Sequence, residues 1–460
     1  MATREYKINL PKDVEFILKT LQQHGQGYVV GGAIRNHFLG VWPKDWDFTT
    51  DIEYDTLLDI FDEYSPKEIG KAFGIIQIKI NGTHYEIAKF RKDIGVPPDR
   101  REQEVEFTSN LSDDLMRRDF TFNAVAYDGE SLVTVCEEWI SDLLTNSIRF
   151  VGEANERITE DPLRAFRYVR FLSQKGITPS TREYYEVKDF VNENKELISN
   201  LSKERIRDEF IKIILSDRVM IGLDSLTELG LMQFIIPNIN EYKINQLNQH
   251  HNRNLISHMF YSVQCCEPIL ELRLSALFHD IGKPSCFIVD EKGEGHFYNH
   301  DKVGAEITEK LLRELKFDNN TIDIVCKLVA NHMNKSHRQT PKAMRKLVNK
   351  VGRDNIQLLF KLFEADIISS KPPYNFELLD NMKILFYNVK NEEIKNPILN
   401  LKDLKINGYD LMDMGFEGKE IGVILRNVHE FVLSNGNEYN KKDYLLKYIN
   451  DSFNKGGIDK

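Results

Sequence analysis

The strongest constraint on the fold is a change of periodicity about one third of the way along the chain. Up to about residue 150, short runs alternate apolar and polar residues between helical segments: IIQIKI at 75–80, HYEIAKF at 84–90 and EVEFTS at 104–109. That period of two marks strands. Beyond Glu153 such runs nearly vanish, and helical periodicity dominates, broken by turns at Ile236-Pro237-Asn238, Lys371-Pro372-Pro373 and Asn407-Gly408. The pattern predicts an α+β protein, a mixed-sheet head on a long helical body. At 460 residues the chain exceeds what one hydrophobic core supports, so several domains are expected.

Composition narrows the function classes. Hydrophobic residues make up 41% and charged residues 29%, as in ordinary soluble globular proteins. No apolar stretch approaches the roughly 20 residues needed to span a bilayer, and MATREYKINLPKDVEF at the N-terminus is too charged for a signal peptide. A cytoplasmic protein without a membrane partner is expected. Cys136, Cys265, Cys266, Cys286 and Cys326 lack metal-site spacing and read as reduced structural thiols, the vicinal pair as buried helix residues. The net charge of −10 argues against nucleic-acid binding over the whole surface but leaves room for local basic tracks. Three stand out: Lys89, Arg91, Lys92, Arg100 and Arg101; Arg164, Arg167 and Arg170; and Lys203, Arg205, Arg207 and Lys212.

Residues 30–50, VGGAIRNHFLGVWPKDWDFTT, carry the first chemistry. Asp45 and Asp47 are spaced so that, on a strand, both carboxylates leave one face roughly 7 Å apart, which suits a hard cation such as Mg²⁺ completed by substrate phosphates. Gly31 and Gly32 permit a sharp turn and close approach of backbone N–H groups to phosphate. Arg35 can grip the same phosphates by a bidentate fork. Either part alone is ordinary; joined at this spacing they resemble the GG…(D/E)xD signature of the nucleotidyltransferase superfamily. KDWDF is similar to the subset containing bacterial transfer-RNA nucleotidyltransferases and poly(A) polymerases.

Two further runs extend the resemblance. Arg117-Arg118-Asp119-Phe120-Thr121-Phe122-Asn123-Ala124 resembles the family's RRDFTxNA motif, which implies that Arg118 and Asp119 contact the sugar; the apolar FTFNAVAY reads as a core helix or strand. Glu160-Asp161-Pro162-Leu163-Arg164 opens a helix with Asp161 at the N-cap and Pro162 at the first position. It resembles the family's EDxxR motif, which implies base selection by Asp161 and Arg164, with Arg167 and Arg170 beside them on the nucleotide. Cytosine and adenine both offer an amino donor beside a ring-nitrogen acceptor, an edge that a carboxylate and a guanidinium can pair. Guanine and uracil would oppose acceptor to acceptor and donor to donor, leaving polar groups unpaired. Ser202 to Phe210, SKERIRDEF, is similar to a family helix expected to brace the neck. Residues from Arg91 to Phe107 match in length the loop used to switch from CTP to ATP, but carry Val96-Pro97-Pro98-Asp99 instead of the usual Tyr and Asp. Asn36 replaces the Asp that usually follows GGxxR, and Glu86 is a candidate third carboxylate.

His279-Asp280 in RLSALFHDIGKP, with His258, His300, His332 and Asp366, resembles the HD domain of metal-dependent phosphohydrolases, implying a second divalent metal. DLKINGYDLMDMGFEGKEIGVIL resembles the C-terminal region that holds transfer RNA in bacterial members. The implied domains are a nucleotidyltransferase head at 1–150, a neck at 151–215, a helical body with the HD domain at 216–375 and a tRNA-binding region at 376–460, the tail NKGGIDK reading as disordered. The expected activity is template-independent addition of CCA to tRNA from CTP and ATP, with Mg²⁺ on Asp45 and Asp47. Alternatives are addition of A alone or of CC alone, or an HD phosphohydrolase with a degenerate head.

Overall fold

The computed structural model describes residues 1–43, 45–95, 104–244, 253–293, 295–334, 340–374, 376–393 and 401–453. The chain forms two compact units, Met1–Ile239 and Asn240–Lys460. The expected proline-containing loop at 96–99, Arg100, Arg101 and the tail NKGGIDK lie outside the described residues.

The first unit is built on an eight-stranded mixed sheet. Its strands in chain order are β1 (Ala2–Glu5), β2 (Gly27–Val30), β3 (Asp47–Thr50), β4 (Lys67–Gly70), β5 (Ile75–Ile80) and β6 (Thr83–Lys89), with β9 (Ala126–Tyr127) and β10 (Ser131–Thr134) following a separate ribbon of β7 (Arg91–Ile94) and β8 (Glu104–Phe107). The order across the sheet is β1-β10-β9-β2-β3-β6-β5-β4. Every neighbouring pair is antiparallel except β3 and β6, which run parallel. The alternation read in IIQIKI is realised in β5, where Ile76, Ile78 and Ile80 are buried. Asn81 and Gly82 sit at φ of 48° and 87° between β5 and β6, the left-handed pair that a two-residue hairpin turn matching strand twist requires.

FTFNAVAY becomes neither one helix nor one strand. Thr121–Asn123 forms a single 3-10 turn and Ala126–Tyr127 enters the sheet as β9. From Ala154 onward the unit is helical apart from short strand pairings, and the helices Leu163–Leu172 and Lys203–Ile214 pack on each other.

Among the described residues, the second unit is helical around one hairpin of Phe287–Val289 with Gly295–Phe297. Its C-terminal helices, Gly408–Asp413, Lys419–Asn435 and Lys442–Phe453, bury Leu411, Ile424, Val428, Val432, Leu445 and Ile449 among themselves. Cys265 and Cys266 lie just past the end of the helix Leu255–Gln264, and all five cysteines are free. Among the described residues, no helix is long and apolar enough to cross a membrane.

Candidate functional site

A cavity of about 360 Å³ in the first unit is lined by Gly31, Gly32, Arg35, Asp47, Arg117, Arg118, Asp119, Asn123, Arg164, Arg167, Arg170 and Phe171. Residues from β2, β3, the 111–123 segment and the helix Leu163–Leu172 thus meet at one place. Gly31 follows β2 at φ 74° and ψ −133°, a region that essentially only glycine occupies. A Cβ there would stand 3.4 Å from an Arg118 nitrogen and 3.8 Å from an Asp47 oxygen.

Asp47 opens β3, opposite Val30 on β2 and Glu86 on β6. Side chains paired across a ladder share a face, so Glu86 stands beside Asp47. Asp45 does not lie on a strand: the chain enters the ladder only at Asp47, with Asp45 exposed before it and Trp46 buried between. Burial raises the Asp47 carboxyl to about 6, Glu86 and Asp45 adding to the rise and Arg118 opposing it. Glu86 and Asp45 thus both disfavour charge on Asp47, and a divalent cation held there would offset that repulsion.

The arginines are held in place by carboxylates and carbonyls. Asp114, fully buried, accepts from Arg117 Nε and Nη2 on one oxygen (2.9 and 2.7 Å) and from Arg118 Nη2 on the other (3.0 Å). Sequence reading passed over Asp114, although its spacing of three and four from the arginines is that of helix-surface partners. Arg35 donates to Asn123 Oδ1 (2.6 Å) and Asn36 Oδ1 (3.0 Å), and its guanidinium lies 4.8 Å from the Phe171 ring centroid. The charge missing at Asn36 therefore leaves Arg35 between two neutral amides. Burial, then Arg170, lowers Arg35 to about 10. The Nε atoms of Arg35, Arg118 and Arg170 are buried with no hydrogen-bond acceptor among the described residues, donors that an anionic ligand would satisfy.

Asp119 takes four hydrogen bonds. Oδ1 accepts from Phe120 N–H (2.9 Å) and Asn123 Nδ2 (3.1 Å), and Oδ2 from Arg167 Nε (2.8 Å) and Nη2. Burial pushes its carboxyl up, but Arg167 and Asn123 outweigh that and hold it well below the usual carboxylate range.

Asp161 and Arg164 are brought to the same helix start, where Arg164 N–H donates to the Asp161 carbonyl at 2.9 Å while their side chains engage other partners. The N-cap of the helix Leu163–Leu172 is Pro162, not Asp161 as the sequence suggested; Asp161, one position earlier, accepts from Leu163 N–H (3.2 Å) and receives Arg205 Nη2 on both oxygens. Arg164 donates to Glu160 (2.5 Å) and to the carbonyls of Arg157 and Arg117. The SKERIRDEF helix, read as a brace, thus reaches the Asp161 carboxylate directly. Its Glu209 holds Arg170 at 2.9 Å.

In the second unit the six HD residues converge. Nε2 of His258 and His279 lie 3.1 Å apart and each 3.3 Å from Asp280 Oδ2; Asp366 Oδ1 is 3.3 Å from His258. His300 and His332 approach the other oxygen, Asp280 Oδ1, at 3.3 and 3.5 Å. Two groups of ligand atoms, His258-His279-Asp280 and Asp280-His300-His332, each fall within 4.8 Å. Backbone carbonyls at Ala276, Phe297 and Val329 engage the Nδ1 atoms of His279, His300 and His332, which turns each Nε2 inward. Lys283 Nζ also reaches Asp280 Oδ2 at 2.6 Å. Burial opposes charge on Asp280, yet His279 and Lys283 hold it well below its ordinary value.

Comparison with known proteins matches three parts of the chain. Residues 27–149 match the family described as Poly A polymerase head domain, 185–243 the probable RNA and SrmB-binding site of polymerase A, and 255–370 the HD domain. The CCA-adding enzyme of Lactobacillus helveticus is 27% identical over 437 residues, 95% of this chain and 96% of its own. That of Staphylococcus haemolyticus is 27% identical over 450 residues, again covering 95% and 96%. The structure of the Bacillus stearothermophilus CCA-adding enzyme in complex with CTP superposes with a TM-score of 0.70 at 20% identity, covering 96% of this chain and 99% of that one. That likeness bears on the fold.

Proposed function

From a chain that belongs to the tRNA nucleotidyltransferase and poly(A) polymerase family, we infer addition of C, C and A to the 3′ end of tRNA, using CTP and ATP and releasing pyrophosphate. The observation that carries this reading is the single cavity joining Asp47, the Gly31-Gly32 turn, Arg35, Arg118, Asp119 and Arg164.

Asp45 and Asp47, with Glu86 beside them, would hold Mg²⁺. When bound, Mg²⁺ supplies the charge that activates the terminal 3′-hydroxyl and steadies the departing pyrophosphate. Gly31 and Gly32 keep side chains out of the path of the triphosphate, and Arg35 with Arg118 offers it unpaired buried donors. Arg118 and Asp119 border the ribose. Asp161 and Arg164 present an acceptor and a donor to the base edge, while Arg167 and Arg170 hold the surrounding carboxylates. The C-terminal helices from Gly408 onward are the candidate tRNA cradle, and a cytoplasmic location is part of the proposal. The domain bounds we propose remain 1–150, 151–215, 216–375 and 376–460.

The test offers purified protein tRNAs ending before C, after C and after CC, with CTP and ATP supplied separately. Stepwise extension to CCA is expected; extension only of the CC-ended tRNA with ATP would make it an A-adding enzyme.

A second reading is favoured by the buried cluster around Asp280. His258, His279, Asp280, His300, His332 and Asp366 fit a divalent metal through imidazole and carboxylate donors, so the second unit is proposed to hydrolyse phosphoesters.

A further inference from the structure

Asn123 sits where the two ends of the nucleotide site meet. Its amide oxygen accepts from Arg35 Nη1 at 2.6 Å, and its amide nitrogen donates to Asp119 Oδ1 at 3.1 Å. It is buried and lines the cavity. Arg35 belongs to the helix Gly32–Phe38 behind the glycine turn; Asp119 is tied by Arg167 to the helix Leu163–Leu172. One side chain therefore links the phosphate side of the cavity to its sugar and base side.

Two details make the link more than packing. A carboxylate has about four acceptor positions, and Asp119 already fills four: Phe120 N–H and Asn123 on one oxygen, two Arg167 nitrogens on the other. Asp119 is thus fixed from both sides, and removing Asn123 would free one lone pair and let the carboxylate turn. Arg35, for its part, has only neutral partners, Asn123 and Asn36, at hydrogen-bond distance among the described residues. Its aim depends on those two amides and on the faces of Phe171 and Phe122.

We propose that Asn123 is a positioning residue that registers the triphosphate-binding Arg35 against the sugar-facing Asp119, so that ribose recognition and phosphate grip act as one unit. A single acceptor-and-donor side chain is what the role needs. Alanine supplies neither; aspartate keeps the acceptor towards Arg35 but sets a second negative charge against Asp119.

This rests on the nucleotidyltransferase reading, and the experiment separates the two. CTP, dCTP and tripolyphosphate are titrated calorimetrically, with Mg²⁺, into the full-length wild type, Asn123→Ala and Asn123→Asp, alongside melting curves. For Asn123→Ala we expect tripolyphosphate and CTP to weaken by roughly tenfold and the preference for CTP over dCTP to collapse towards one, typical of losing a buried hydrogen-bond pair. Asn123→Asp should move both quantities in the same direction, and it decides the question if the alanine variant does not fold. A variant that loses tripolyphosphate affinity with its sugar preference intact, or the reverse, would overturn the coupling. If the wild type binds neither CTP nor tripolyphosphate, the nucleotidyltransferase reading itself fails.

Discussion

Arg205 Nη2 donates to both carboxylate oxygens of Asp161, at 2.9 and 2.8 Å. The two residues are 44 apart in sequence, and each comes from the start of its own helix. Asp161 is buried, and a buried carboxylate is costly unless paired. Arg205 thus engages both carboxylate oxygens of Asp161.

Asp161→Ala should relax base choice, since no carboxylate remains to reject uracil or guanine. Arg205→Ala should do so more weakly, by letting Asp161 rotate. Incorporation of UTP and GTP relative to CTP and ATP measures both; we expect discrimination to fall by roughly ten- to a hundredfold in the first variant. Unchanged exclusion of UTP and GTP in Asp161→Ala would remove side-chain templating from the account.

Asp47→Ala should abolish nucleotide addition, by on the order of a thousandfold or more, while tRNA binding measured by filter retention stays close to wild type. The expectation rests on the place of Asp47 beside Glu86 at the cavity. A variant that transfers CMP at near-normal rate would displace the metal assignment.

Glu183 provides a pH test of stability away from the chemistry. Its carboxylate accepts from Phe150 N–H at 2.9 Å, its other oxygen has no hydrogen-bond partner among the described residues, and burial pushes it from 4.5 to about 8. The folded state binds the proton more tightly than the unfolded one. Its contribution is thus fully present below about pH 4.5 and is lost as pH rises to about 8. Glu183→Gln should abolish that slope and stabilise the fold above pH 8 by roughly 2–5 kcal/mol. Urea unfolding across this range checks it; parallel curves for wild type and variant would refute the assignment.

Asp280→Ala should strip the second unit of bound metal, because both groups of ligand atoms share that residue. Metal content after dialysis, measured by mass spectrometry, should fall to background, while CCA addition stays within about twofold of wild type because the cavity lined by Asp47 lies in the first unit. Retained metal in the variant would place the ion elsewhere.

The residues that carry charge at fixed spacing were legible in the sequence: Asp47, Arg118, Asp119 and Arg164 do line or border one cavity. What spacing cannot convey is who faces whom across the fold. Asp45 reads as a strand residue, yet ladder partners exist only from Asp47 onward. Arg205 reads as a brace because its partner is far off in sequence. The six HD residues announce themselves in order, but helix packing alone decides that Asp280 offers one oxygen to His258 and His279 and the other to His300 and His332. FTFNAVAY is apolar apart from Thr121 and Asn123, both of them buried, so its pattern did not reveal a 3-10 turn leading into a two-residue strand.

The parallel pairing of β3 with β6 sets unequal tolerances for change in chain length. Glu86 stands beside Asp47 because the ladder fixes its register, not because a loop delivers it there. An extra residue in the exposed Asn81-Gly82 turn would lengthen a hairpin. The same insertion within β6 before Glu86 would shift the alternation and turn that carboxylate to the opposite side of the sheet. Length variation compatible with the chemistry should therefore collect in the connections and be absent from the seven residues of β6.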